Sequence, residues 1–331
     1  MSAVLPDVTT PLDEAEAEAA FAAVLDGTVG DEAIAAFLVA LSARGETAEE
    51  IAGAARAMRA RLIPIDAPPG AIDVCGTGGD GHHTLNVSTA VSLVVAASGV
   101  PVAKHGNRAA SSKAGAADTL EVLGLNLARL GETARDTLGD LGICFLFAGN
   151  HHPAMARIQP IRRAIGQRTI FNLMGPLANP ARVEHQLIGI ARPAYVPIYA
   201  AALASLGTAR SMIVSGDEGL DELSLAGGNE VAEVAGHDYT MHRMNAADAG
   251  LAVAPVEAIR GGDATYNAAA LRALLQGERG AYRDAVLFNS AAALMVAGEV
   301  SDWHEGVEEA AETLDKGLAN TLLDCWIAAT R

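Results

Sequence analysis

Residues 72–124 read IDVCGTGGDGHHTLNVSTAVSLVVAASGVPVAKHGNRAASSKAGAADTLEVLG, and this stretch decides the fold. An apolar run at 71–75 gives way to Gly76, Gly78, Gly79 and Gly81, the pattern of a buried strand opening into a loop whose bare amides can approach an anion. Asn86, Ser88 and Thr89 then open an apolar helical run at 90–97, gathering hydroxyls and unpaired amides at a helix N-terminus. A second strand at 100–103 delivers Lys104, His105, Asn107 and Arg108, with Ser111 and Ser112 ahead of the next helix. Two strand-to-helix turns thus aim donors at one place, beyond the carboxyl ends of their strands.

Charge points the same way. The chain carries 40 acidic against 23 basic residues, yet no Asp or Glu occurs from Gly81 to Ala117, and two of the three lysines, Lys104 and Lys113, lie in that window. A second acid-free window, Leu141 to Val183, holds Arg157, Arg162, Arg163, Arg168 and Arg182. Two such windows in an acidic protein predict one site for anionic ligands. A net charge of −17 opposes nucleic-acid backbone binding. Cys75, Cys144 and Cys325, odd in number and without paired spacing, read as reduced, buried thiols of a cytoplasmic protein. The acidic N-terminus does not read as a signal peptide, and no apolar run is long enough to span a membrane.

Outward from the glycine loop, apolar spacing of three and four predicts helices at 12–26, 31–43 and 48–62, with Thr47 and Glu50 as a capping box. PIDAPPG at 64–70 reads as a linker. Beyond it strands (71–75, 100–104, 143–148) alternate with helices (89–98, 115–124, 132–141), predicting a mostly parallel central sheet with helices on both faces. Pro153 can start a helix that Pro160 must kink or restart. Strands near 186–190, 211–215, 229–235 and 238–243 and helices near 195–206, 267–276, 281–298 and 304–329 complete an α/β chain with a small all-helical N-terminal subdomain. Neither GxxxxGK[ST] nor GxGxxG with its ribose-binding acid is present.

The ordered motifs GTGGD (76–80), NVST (86–89), KHGNRAASS (104–112), GAADTLEVLG (115–124), HPAM (152–155), RTIFNLMGPLANP (168–180) and SGDEGLDELSL (215–225) resemble the anthranilate phosphoribosyltransferases across nearly the whole chain. That resemblance implies transfer of phosphoribosyl from phosphoribosyl diphosphate to the amine of anthranilate, releasing pyrophosphate. It implies a helical subdomain of residues 1–66, joined by roughly 153–180 and forming the contact of a homodimer, and an α/β domain of 67–152 and 181–331. It implies two Mg2+ per subunit on Ser88, Asp221 and Glu222.

For phosphoribosyl diphosphate the matching positions are Gly76, Gly79, Asp80, Thr84, Asn86, Val87, Ser88, Thr89, Lys104, His105, Gly106, Asn107, Arg108, Ala109, Ala110, Ser111, Ser112 and Ala116. Lys104 would meet a phosphate as a point charge. For anthranilate they are Gly76, Asn107 and Arg162, with His105 and His152 lining an aromatic slot. Arg162 would reach the pocket from across the domain cleft and pair the carboxylate, while Arg163 would point elsewhere on its helix. Ala116, Gly149 and His151 depart from the family's usual serine, proline and tyrosine, and no general base is assigned. The alternatives are a pyrimidine nucleoside phosphorylase, which lacks a counterpart to the Asp221–Glu222 pair, and a non-catalytic nucleic-acid-binding relative, opposed by the acidic balance and 4% aromatic content. Adjacent histidines on a strand point opposite ways, so His82–His83 and His151–His152 make poor zinc sites.

Overall fold

The computed structural model describes residues 4–109 and 113–331. The chain opens with α1 (Glu14–Leu25), α2 (Asp31–Arg44) and α3 (Ala48–Arg59). Their ends are written locally. Asp13 with Glu16 and Thr47 with Glu50 form capping boxes on α1 and α3, and Gly45, at φ 95°, stops α2. The Glu50 carboxylate also accepts from Leu12 N at 3.0 Å and from the Arg44 guanidinium, so one buried acid ties three helix ends together.

There follow β1 (Ile72–Gly76), α4 (Val87–Ala97), β2 (Val102–Gly106), α5 (Ala116–Leu123), α6 (Leu130–Leu141), β3 (Ile143–Phe147), α7 (Ala148–His151), α8 (Met155–Ile165) and α9 (Met174–Leu177). The rest of the chain is β4 (His185–Gly189), α10 (Val196–Leu206), β5 (Thr208–Gly216), β6 (Gly228–Gly236), β7 (Asp238–Asn245), α11 (Ala264–Leu275), α12 (Ala281–Ala297), α13 (Trp303–Asp315) and α14 (Leu318–Ala329). The sheet order is β3-β2-β1-β4-β5-β6-β7, parallel from β3 to β5 and antiparallel at the β6 and β7 end. Helices cover both faces, as the strand alternation demands. Val74, Leu187 and Val214 face the core built on α4 and α12, while Ile188, Ile213 and Ala232 face a core shared by α10 and the N-terminal helices. Residues 158–178 return to that second core, where the Phe171 ring stands edge-on to Phe21 at 5.8 Å.

Several expectations are corrected. α8 runs through Pro160 without restarting. The helix expected over 304–329 is two, α13 and α14, broken at Gly317 with φ 69°. Cys75 and Cys144 are buried, but Cys325 is exposed on the outer face of α14. The second strand runs Val102–Gly106 rather than ending before Lys104, so Lys104 and His105 are strand residues with opposite orientations.

Candidate active site

Connections leave β1 toward β2 on one side and reach β4 on the other, so a crevice opens beyond Gly76 and Gly189, the C-terminal residues of neighbouring strands. Asp221, on the loop after β5, is packed into that crevice. A Cβ on Gly76 would strike its carboxylate, and one on Gly189 would strike its backbone carbonyl. Gly78 N donates to Asp221 Oδ2 at 2.6 Å, and Ser88 N donates to Glu222 Oε1 at 3.1 Å, so Glu222 caps α4 where Asn86 makes no side-chain cap. The rest of the acidic loop is structural: Asp217 pairs with Arg243, and Glu218 accepts from Ser224.

Burial pushes the Asp221 carboxyl up to about 7, with the Asp80 charge next in importance. Burial likewise pushes Glu222 up to about 8, aided by Asp221 and opposed by Lys104. Acids crowded this way hold their charge only against a cation. Among the described residues no three His, Cys, Asp or Glu side chains form a ready-made metal cage. Two carboxylates and the Ser88 hydroxyl are a donor set suited to magnesium, which keeps phosphate and water oxygens for its other positions.

Lys104 lies beneath the loop rather than at its surface. It is 2% exposed, and its ammonium donates to Val74 O at 2.6 Å and Ser88 Oγ at 3.2 Å. Burial lowers its pKa, and the fully buried Asp73 is the first charge opposing that fall. On the opposite side of β2, His105 Nδ1 lies 2.9 Å from Gly175 O, and its Nε2 lies 3.2 Å from His152 Nε2. Burial drives these imidazoles down to about 3 and about 4, so both are neutral in the ordinary range. They form a buried pair, with rings tilted at 5.1 Å, rather than an open slot.

Of the other phosphoribosyl candidates, Gly79 is exposed on the loop, Asp80 and Thr84 are half-buried, and Val87 and Thr89 are buried in the first turn of α4. Among the described residues the Thr89 hydroxyl has no hydrogen-bond partner. Asn107 and Arg108 are exposed; Asn107 Oδ1 accepts from Arg108 N at 2.8 Å, and the Arg108 guanidinium is held by Asp118 and Glu121 at 2.8 and 2.9 Å. Gly106 packs against Phe145, and Gly115 lies so close to Ala109 N that a Cβ would approach it to 2.5 Å, which fixes Ala109 against the start of α5 at Ala116. Ala110, Ser111 and Ser112 lie outside the described residues. Gly149 is packed beside the Phe147 ring, and His151 is buried with Nδ1 2.9 Å from Ile63 O.

Across the crevice a cavity of about 460 Å³ is lined by Thr77, Gly78, Gly79 and Arg192 from the ends of β1 and β4 and by Arg162, Arg163 and Arg168 from the end of α8 and the segment after it, with no carboxylate among the described lining residues. Arg162 is half-buried over the Phe171 ring at 5.9 Å, and burial lowers its pKa. Arg163 also lines this cavity, correcting the expectation that it points away: the cavity wraps the whole C-terminal end of α8. Arg168 is fixed by Glu46 at 3.4 Å and stacks on Tyr195 at 4.7 Å.

Residues 9–62 match the glycosyl transferase family helical bundle domain, and 68–320 the glycosyl transferase family a/b domain. A curated anthranilate phosphoribosyltransferase of Novosphingobium aromaticivorans is 76% identical over 326 residues, covering 98% of this chain and 99% of that one. The chain belongs to the anthranilate phosphoribosyltransferase family. A solved family structure from Thermus thermophilus matches with TM-score 0.90 and 43% identity, covering 98% and 97% of the two chains. The Saccharomyces cerevisiae enzyme, solved in complex with PRPP and Mg, matches at 0.87 and 27%, covering 96% and 93%. The reaction is transfer of the phosphoribosyl group of 5-phosphoribosyl 1-diphosphate to the amine of anthranilate, in tryptophan biosynthesis, giving N-(5-phosphoribosyl)anthranilate and pyrophosphate.

Several residues that build this site are not among the expected site residues. Gly189 shares the Asp221 notch with Gly76. Asp73 accepts from His105 N at 3.0 Å, Asn179 binds Ala103 O at 2.8 Å, and Asn267 reaches Asn86 at 3.0 Å. Gly189 and Gly76 share one signal, a glycine ending a short apolar strand; Asn179 lies inside the 168–180 motif, whereas Asn267 and Asp73 offered none.

Proposed function

We propose that phosphoribosyl diphosphate lies over the glycine loop, with its diphosphate at the α4 start and its sugar facing the arginine-walled cavity, where anthranilate binds. The seating of Asp221 and Glu222 supports this reading above all, because it sets oxygen ligands beside the exposed glycine turn at Gly78 and Gly79. Ser88, Asp221 and Glu222 would hold the two magnesium ions, whose charge offsets the negative charge that grows on the departing pyrophosphate. The Gly79 amide and the Asn86 side-chain amide donate to phosphate oxygens, the Thr77 and Gly78 amides being held by Gly189 O and Asp221. Thr84, Val87, Thr89, His105, Gly106, Ala109 and Ala116 shape the groove, Lys104 supplies positive charge from below, and Asp80 stands beside the ligand carboxylates.

At the acceptor end Arg162 pairs the anthranilate carboxylate, and Asn107 with the Gly76 backbone accepts from its amine. An aromatic amine attacks while neutral, so orientation and a dry cleft do most of the work. His105 and His152, buried and neutral beneath the site, add no competing charge to it.

We also infer a homodimer through residues 1–66 and 153–180, where Val39 and Ile63 remain 37% and 51% exposed; light scattering giving the monomer mass at micromolar concentration would contradict it. A cytoplasmic location is supported by the buried, unpaired Cys75 and Cys144. The decisive experiment is Asp221→Asn with Glu222→Gln. Both substitutions keep the size and shape of the packed side chains, so the double variant is expected to keep its fold and lose turnover, followed by loss of anthranilate fluorescence at millimolar magnesium. Unchanged turnover would overturn the metal assignment.

A further inference from the structure

We propose that Asn267, on the first turns of α11, is a positioning residue that fixes the Asn86 carboxamide as a donor toward phosphoribosyl diphosphate. This rests on the placement of Asn86 in the reading above.

The orientation of both amides follows from their partners. Gly262 N donates to Asn267 Oδ1 at 2.8 Å, and an N–H can only meet an oxygen. The other arm of Asn267 is therefore its amide nitrogen, which donates to Asn86 Oδ1 at 3.0 Å. Thr119 Oγ1 donates to the same oxygen at 2.6 Å. With both of these donors on its oxygen, Asn86 must turn its own nitrogen the other way, where its described contact is a long one to Ala114 O at 3.5 Å. One amide proton is left for an anion.

The support is rigid. Asn267 is 2% and Thr119 0% exposed, and Tyr282 Oη holds the Asn86 carbonyl at 3.2 Å. The segment before α11 straps the loop itself: Gly261 N donates to His83 O and Leu85 N to Ile259 O, both at 2.8 Å. A Cβ on Gly261 would approach Thr84 O to 2.6 Å, so the strap needs glycine for close approach.

The sensitive substitution is Asn267→Asp. One carboxylate oxygen can still accept from Gly262 N, but the other now faces the Asn86 oxygen and drives the amide to flip. The Thr119 hydroxyl rotates to accept and does not resist. Asn86 then presents oxygen to a phosphate, and the Michaelis constant for phosphoribosyl diphosphate is expected to rise roughly 10- to 100-fold, with that for anthranilate changed less than about twofold. Thr119→Val, which leaves Asn267 in place, is expected to raise it only about two- to fivefold.

The test is steady-state kinetics of Asn267→Asp, Thr119→Val, Asn86→Ala and the doubles with Asn86→Ala, beside thermal melts. Asn86→Ala is expected to raise the constant on its own, and on that background Asn267→Asp is expected to add less than about threefold. An effect of Asn267→Asp that multiplies fully in the double, or none in the single, overturns the proposal. No effect of Asn86→Ala overturns the placement of Asn86 as well. Should Asn267→Asp fail to fold, Thr119→Val and its double carry the same comparison, and full multiplication there is equally fatal.

Discussion

Removing the Arg162 guanidinium isolates recognition of the acceptor. Arg162 shares its cavity with Arg163, Arg168 and Arg192 and faces no carboxylate in the lining, while Arg168 is already bound to Glu46. Burial lowers the Arg162 pKa, so its charge is partly desolvated before any ligand arrives, and in the proposed reading the anthranilate carboxylate supplies the missing counter-ion. A forked, charge-assisted pair in such a cleft contributes about 1.5–3 kcal/mol, or roughly 10- to 150-fold in binding. Arg162→Ala is therefore expected to raise the anthranilate Michaelis constant by that factor and leave phosphoribosyl diphosphate nearly untouched. The melting temperature is expected to change little, because losing the Phe171 contact, worth about 0.5–1 kcal/mol, is offset by relief of an uncompensated charge. Arg162→Lys recovers only part, since an ammonium cannot make two parallel bonds. Arg163→Ala, at an exposed position on the same cavity, is expected to cost only a few-fold through lost field. Steady-state kinetics with each substrate varied in turn decides the matter. An unchanged anthranilate constant in Arg162→Ala, or a larger effect from Arg163→Ala, refutes the anchor.

Gly189→Ala forces a methyl against the Asp221 carbonyl, which cannot rotate aside; a stability loss of about 1–3 kcal/mol by urea melts and a weakened magnesium dependence are expected. Because His105 and His152 are bases with depressed folded values, about 3 and about 4, their contribution is intact above the unfolded value of about 6.5 and is lost as pH falls toward 4. Stability of His152→Asn, followed by melts from pH 7 to pH 4.5, is expected to fall less steeply than that of the parent, and equal slopes would contradict the buried neutral pair. Chelation of magnesium is expected to abolish pyrophosphate release while leaving the far-ultraviolet dichroism unchanged, since no helix or strand is organised on the metal ligands alone.

What the sequence made legible was whatever a local pattern writes. The capping box at Thr47, the glycine turn after β1 and the acid-free windows each need neighbours within a few residues. Long-range partners left no such mark. Asn267 lies 181 residues from Asn86 and Asp221 lies 143 from Gly78, distances over which periodicity is silent. The sequence puts Lys104 at the site but on the wrong level, because a strand ended at Ala103, three residues early, hides the alternation that turns Lys104 inward beside Asp73. The break at Gly317 was a glycine stop masked by an apolar spacing that continues across it.

In the proposed reading, the notch shared by Gly76 and Gly189 lets one acidic loop serve chemistry on both sides of a thin glycine turn. Asp221 is held by the ends of two adjacent strands, so its carboxylate is fixed to the sheet rather than to a mobile loop, and Glu222, next in chain, is thereby brought to the first amide pair of α4. Thr77 N donates to Gly189 O at 2.9 Å and Ala191 N donates to Thr77 Oγ1 at 3.2 Å, which locks the turn to β4 as well. The same turn, through Thr77, Gly78 and Gly79, forms a wall of the arginine cavity. In the proposed reading the leaving diphosphate and the incoming amine therefore meet on opposite faces of three residues whose position the sheet dictates. An in-line displacement needs that opposition, and it follows from two strands ending in glycine at the point where the strand order reverses.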